Sequence, residues 1–210
     1  SLCKADSINC YGSELDVWLS TDGVLFVNHD AVFKGHNVEQ SSSAELSAII
    51  LDNGEHMPTL DEYLAKAKTL KTRIVLELKA HQTKEKEAEA VAKIVEMVEK
   101  YGLTDRTEYI SFSLFACKEF KRVAPQGTDI YYLNGELSPA ELKTLGFAGF
   151  DYSMGPIKRH PEWIEEAHKL GLKVNVWTID KEADMQWLID QKVDFITTNE
   201  PVLLQQLLRK

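Results

Sequence analysis

Short apolar runs that read as strands alternate with amphipathic, helix-period stretches along almost the whole chain. Such alternation points to a parallel sheet covered by helices. Residues 13–19 read as a first strand and 24–27 as a hairpin arm after the Thr21-Asp22-Gly23 turn. A looser polar segment follows, from Asp30 to about His56. Pro58 then opens a helix over 59–70, with Leu60, Tyr63, Leu64 and Ala67 on one face. The pattern predicts further strands at 73–78, 109–113, 129–133, 150–153, 173–179 and 194–197. Helices are predicted at 84–101, 114–123, 138–145, 161–170 and 181–191, with a last one from about Pro201. Ser138 stands as an N-cap with Pro139 at the first helical position, and Gly102 and Gly171 act as stops.

Leaving the hairpin arm aside, seven strand–helix units begin near residues 13, 73, 109, 129, 150, 173 and 194. Seven is one short of a closed eight-stranded barrel. A doubly wound open sheet tolerates seven, so the count leaves both open. No glycine-rich phosphate loop follows any strand, which weakens the open sheet. Residues 4–10 read as the end of a helix that should itself follow a strand.

Composition narrows the function. With 24 basic and 33 acidic residues the net charge is −9, which argues against a nucleic-acid binder. No window approaches the roughly 20 apolar residues of a membrane span. The three cysteines, Cys3, Cys10 and Cys117, have no metal-ligand spacing and cannot all pair. They favour a reducing compartment. Free thiols also occur in exported proteins, so cytoplasmic and extracytoplasmic locations both stay open. The oligomeric state is unread.

Chemistry concentrates in two strands. In the first, Leu15, Val17 and Leu19 share one face, and Glu14, Asp16 and Trp18 the other. Carboxylates two apart project the same way and repel, a conflict that a divalent cation with oxygen ligands resolves. In the second, Ile74, Leu76 and Leu78 form an apolar row, opposite Val75, Glu77 and Lys79. A carboxylate and an ammonium therefore stand near the strand's C-terminal end, where barrels carry their catalytic groups. His29 closes the hairpin arm beside Asp30, which could orient its ring. The other histidines, His36, His56, His81, His160 and His168, read as solvated. Trp177 shares a face with Asn175 and reads either as a pocket wall or as a core aromatic. The charged run 84–89 reads as the solvated face of a helix.

These residues resemble the glycerophosphodiester phosphodiesterase family. The likeness is carried by Gly12-Ser-Glu14-Leu-Asp16-Val, Thr21-Asp-Gly23, Val27-Asn-His29-Asp30, Met57-Pro-Thr-Leu-Asp-Glu62 and Leu76-Glu77-Leu-Lys79. It continues through Ser111-Phe112-Ser113, Val176-Trp177-Thr178 and the stretch from Val193 to Pro201, in family order. The resemblance implies a single (β/α)₈ barrel domain over 1–210, with a small insertion at about 30–56. It implies metal-dependent hydrolysis of glycerophosphodiesters to glycerol 3-phosphate and an alcohol. By the same resemblance Glu14, Asp16 and Glu77 are ligands of Ca²⁺ or Mg²⁺, Lys79 contacts phosphate, and His29 is one of two acid–base histidines. Trp177 and Phe112 would wall the glycerol moiety.

One departure stands out. The family's first strand carries a His-Arg-Gly motif, and no His-Arg pair occurs here. That first barrel strand is expected before Ser1, since 210 residues fall short of the ≈ 250 typical of such barrels. Two other readings compete with the phosphodiesterase: a Schiff-base aldolase using Lys79, and a non-catalytic phosphate- or metal-binding relative.

Overall fold

All seven anticipated strand–helix units form. The computed structural model describes residues 2–209, which fall into two compact units, one up to Thr128 and one from Asp129.

The first unit begins with a short helix α1 (Leu2–Ser7) and strand β1 (Gly12–Leu19). The Thr21–Gly23 turn, with Gly23 at φ +81°, returns the chain as β2 (Leu25–Val27), antiparallel to β1. The segment expected to be loose is built. It holds a β3–β4 hairpin (Val32–Phe33 and His36–Asn37), a 3₁₀ turn (Val38–Gln40) and helix α2 (Ser43–Ser47). Val38, Leu46, Ile49 and Met57 pack there against Phe26 and Trp18 as a small core of their own. Those four apolar residues, scattered at irregular spacing among polar ones, give little periodicity, which is why the pattern reads as loose.

Helix α3 (Leu60–Ala67) starts later than expected, because Thr59 is its N-cap rather than its first turn. The Thr59 hydroxyl accepts from the Glu62 N–H, and the Glu62 carboxylate accepts from the Thr59 N–H. Strand β5 (Arg73–Leu78) lies parallel to β1, and β6 (Thr107–Ser111) parallel to β5. Helix α4 (Lys84–Lys100) joins them, burying Glu87, Ala90, Val91, Ile94, Val95 and Val98 at helical spacing. Helix α5 (Leu114–Val123) follows, its Phe120 stacked on Tyr109 at 4.3 Å between ring centres.

In the second unit β7 (Ile130–Tyr132), β8 (Gly149–Ser153), β9 (Lys173–Trp177) and β10 (Phe195–Ile196) pair in chain order, all parallel. Helix α6 (Pro139–Thr144) carries the expected Ser138 cap. An unanticipated helix α7 (Met154–Arg159) follows β8, in a stretch assigned to no element from the sequence. Then come α8 (Glu162–Lys169), α9 (Glu182–Asp190) and α10 (Pro201–Leu207). Among the described residues no helix is long and apolar enough to cross a membrane.

Candidate active site

The parallel register of β1 and β5 places Glu14 opposite Val75 and Asp16 opposite Glu77. In parallel strands opposed side chains leave the sheet on the same face, so the acidic face of β1 meets the Glu77–Lys79 face of β5. Carboxylate oxygens of Glu14, Asp16 and Glu77 all lie within 4.8 Å of one another. Glu14 is exposed, while Asp16 and Glu77 are buried at 9% and 7%. Lys79 Nζ stands between the buried pair, 3.0 Å from Asp16 Oδ1 and 3.0 Å from Glu77 Oε1. Across the sheet the apolar row Ile74, Leu76 and Leu78 is fully buried, as the strand's alternation demands.

The local electrostatics follow from this crowding. Burial pushes the Glu77 carboxyl well above the usual carboxylate range; Lys79 pulls it back and Asp16 pushes it up again. For Lys79, burial alone would lower the pKa. The two adjacent carboxylates outweigh burial and hold the ammonium above its ordinary value. A Schiff-base nucleophile needs the opposite shift, toward free amine. The two ion pairs that hold the ammonium, each at 3.0 Å, weigh against the aldolase reading of Lys79.

The shift of Glu77 has a sign that can be checked. A carboxyl whose pKa is raised in the folded state stabilises the fold while it is neutral, and that contribution is lost as pH climbs through the raised value. In chelator, the melting temperature should decline above the unfolded carboxylate value of about 4.3. Glu77→Gln should remove that part of the decline. Parallel melting curves of the two proteins across this range would refute the raised value.

Three carboxylates against one ammonium leave an excess of negative charge, and the donor set is all oxygen. Such a set fits a hard divalent cation. Glu77 Oε1 is buried, and among the described residues its partner is the Lys79 ammonium at 3.0 Å, an ion pair that leaves the oxygen with lone-pair capacity to spare. An oxygen left in that condition is available for coordination.

The remaining residues singled out in the sequence lie as follows. His29 comes directly after Asn28, whose N–H donates to the Asp16 carbonyl at 3.1 Å. Its ring is exposed, with Nδ1 3.0 Å from Asp30 Oδ1. Phe112 follows β6 by one residue and is 37% exposed. Trp177, in the second unit, is half-buried, and its Nε1–H donates to the Asp151 carbonyl at 2.8 Å.

The family model for the glycerophosphoryl diester phosphodiesterase family matches residues 12–203. The chain belongs to this family. A solved glycerophosphodiester phosphodiesterase from Parabacteroides distasonis is 46% identical, covers 100% of this chain and 88% of its own, and superimposes with a TM-score of 0.97. A glycerophosphodiester phosphodiesterase of Caldanaerobacter subterraneus is 27% identical over 222 residues, taking in 99% of this chain and 89% of that protein. An Oleispira antarctica phosphodiesterase, solved in complex with the product sn-glycerol-3-phosphate, shares the fold at 23% identity with a TM-score of 0.84, over 100% of this chain and 89% of its own. As a glycerophosphoryl diester phosphodiesterase, the chain is a phosphoric diester hydrolase with the strand–helix barrel class anticipated from its sequence.

Two sequence readings around this cluster need correction. His81 is not solvated: its Nδ1 lies 2.7 Å from the Lys79 carbonyl, and its Nε2 accepts from the Leu19 N–H at 3.0 Å. Nor is the run 84–89 a purely solvated face. Glu87 is buried at 4%, accepting from the His81 N–H at 3.1 Å and from the Ser113 hydroxyl at 2.7 Å. Glu39, also buried, accepts from the Gln82 N–H at 2.9 Å. The one trace of Glu87's role in the sequence is its helical spacing with Ala90, Val91 and Ile94, which puts it on the buried face.

Proposed function

We propose that Glu14, Asp16, Glu77 and Lys79 form the catalytic centre at which this family member hydrolyses glycerophosphodiesters to glycerol 3-phosphate and an alcohol. The three carboxylates would hold a divalent cation, Ca²⁺ or Mg²⁺. The observation that carries this reading is their convergence within 4.8 Å on neighbouring parallel strands. A bound divalent cation supplies a Lewis-acid charge that polarises a phosphoryl oxygen.

The chain's own groups do the rest. Lys79, held charged by its neighbours, offers N–H donors to a phosphate oxygen where negative charge accumulates. His29 moves the proton. With Asp30 at Nδ1, Nε2 is the atom that faces reactants, giving a proton to the departing alkoxide or taking one from the attacking hydroxyl. Such transfer contributes roughly 10²–10⁴-fold. The nucleophile is either water, which gives glycerol 3-phosphate directly, or the substrate's own glycerol hydroxyl, which expels the alcohol and leaves a cyclic phosphodiester that water must then open to glycerol 3-phosphate. Phe112, one residue past β6, supplies an apolar surface expected to border a glycerol moiety.

The test is release of glycerol 3-phosphate from glycerophosphodiesters by the full chain, with and without chelator. Turnover is expected with added Ca²⁺ or Mg²⁺ and a fall of at least about 100-fold in chelator, regained on adding the ion back. Chelator-insensitive turnover would remove the cation from the scheme. Absence of product under every ionic condition would remove the reaction itself.

A further inference from the structure

The ladder between β1 and β5 ends in an unusual way. The Lys79 N–H donates to the Val17 carbonyl at 3.1 Å, an ordinary parallel rung. The next rung of such a ladder runs from the Leu19 N–H to the Lys79 carbonyl. Here an imidazole stands in that rung. The Leu19 N–H donates to His81 Nε2 at 3.0 Å, and the Lys79 carbonyl, 2.7 Å from Nδ1, has only a lone pair to offer. Both roles are therefore fixed by the backbone: Nε2 must accept and Nδ1 must carry the hydrogen. Only the neutral Nδ1–H tautomer meets both demands.

The ring is held from several sides. Trp18, next to Leu19 on β1, tilts against it at 5.4 Å between ring centres. The His81 N–H is tied to Glu87, whose other oxygen is tied to Ser113. The next residue, Gln82, is tied to Glu39, and Lys86 Nζ donates to the Glu39 carbonyl. Ser111 Oγ donates to the Leu78 carbonyl, fastening the strand end just before Lys79. An imidazole in place of a direct N–H···O bond holds the Leu19 N–H and the Lys79 carbonyl apart by the width of a ring, just past the ordinary rung from Lys79 to Val17. Lys79 is thereby fixed at both its N–H and its carbonyl, two residues beyond the paired Asp16 and Glu77.

We propose that His81 is a positioning residue for the phosphodiesterase reaction, an imidazole spacer that fixes the backbone of Lys79 and so sets where its ammonium stands relative to Asp16 and Glu77. The inference rests on the catalytic role given above to that cluster. Burial holds the imidazole below its ordinary pKa, with the Lys79 carbonyl, Glu39 and Glu87 opposing that shift and Lys86 reinforcing it. The ring is accordingly neutral at neutral pH. A group that orients others at a site in this way is typically worth 10–100-fold.

Two measurements test it. On ¹⁵N-labelled wild-type protein near neutral pH, the His81 ring should show a protonated Nδ1 and an unprotonated Nε2. An Nε2–H or doubly protonated ring would overturn the proposal without any variant being made. In steady-state kinetics His81→Phe, which keeps a ring but no hydrogen bonds, should lower kcat by about 10–100-fold, with a smaller change in KM. The better of His81→Asn and His81→Gln, whose amides keep a donor and an acceptor, should regain most of that loss. A His81→Phe enzyme within about twofold of wild type, or amide variants no better than Phe, overturns the inference. Lys79→Met separates the two levels. If it is impaired while His81→Phe is not, this inference alone falls; if wild type lacks turnover the catalytic reading falls, and if Lys79→Met is undiminished the catalytic role of Lys79 falls, and either takes this inference with it.

Discussion

Asp16→Asn is expected to lower kcat/KM by at least about 10³-fold, some 4 kcal/mol of transition-state stabilisation, while leaving the melting temperature unchanged or raised. The substitution is nearly isosteric, and its amide oxygen can still accept from Lys79 Nζ, which stands 3.0 Å from Asp16 Oδ1. What disappears is one negative charge from the middle of the cluster. Coordination of a hard cation depends on charged oxygen donors, and the neutral amide is a poor replacement. Stability should not follow activity down, because Asp16 is among the groups that raise the Glu77 pKa. Removing its charge relieves a buried like-charge repulsion. Loss of activity with a preserved fold is the signature of a reacting centre. Near-wild-type turnover would refute the assignment, and a matched fall in melting temperature would make Asp16 a structural residue.

The pair Glu14/Asp16 and the pair Glu77/Lys79 were legible in the sequence because each needs only the two-residue period of a strand. Bringing the pairs together needs one further condition, that the strands be parallel neighbours in a register opposing Asp16 to Glu77. Strand–helix alternation makes the first part natural; the register emerges only from packing. His81 lies beyond the reach of strand periodicity. Its two partners, Leu19 and Lys79, lie 62 and 2 residues away, and no period links a loop histidine to a missing rung. Glu87 sits in a run of alternating charge that reads as solvent-facing. The loop 80–83 returns over the start of α4, turning that carboxylate inward onto the His81 N–H. Trp18 shares the parity of Glu14 and Asp16, yet it is buried among Phe26, Val38 and Leu46. The 30–56 segment provides that cover, so one face of β1 changes from acidic site to apolar core within two residues.

Lys79→Met should separate cation binding from turnover. Methionine keeps the length of the apolar stem and removes the ammonium that stands 3.0 Å from both Asp16 and Glu77. In the metal-free protein this leaves two buried carboxylates without their counter-charge, and breaking such a pair typically costs about 3–5 kcal/mol. The chelator-treated variant should therefore melt well below wild type. A divalent cation neutralises the same two carboxylates, so it should restore more stability to the variant than it adds to wild type. Apparent affinity for Ca²⁺ or Mg²⁺, read by calorimetric titration, should rise, because ammonium and cation no longer compete for one concentration of negative charge. Turnover should move the other way, by about 10²–10³-fold, the usual loss when one donor to a developing oxyanion is removed. A variant that binds the ion better and reacts more slowly places the lysine's worth in the transition state. If affinity and turnover instead fell together, Lys79 would be a support for the carboxylates and not a contact for phosphate. Unchanged turnover would leave the ammonium as a mere counter-ion, and the donor to phosphate would have to be another group.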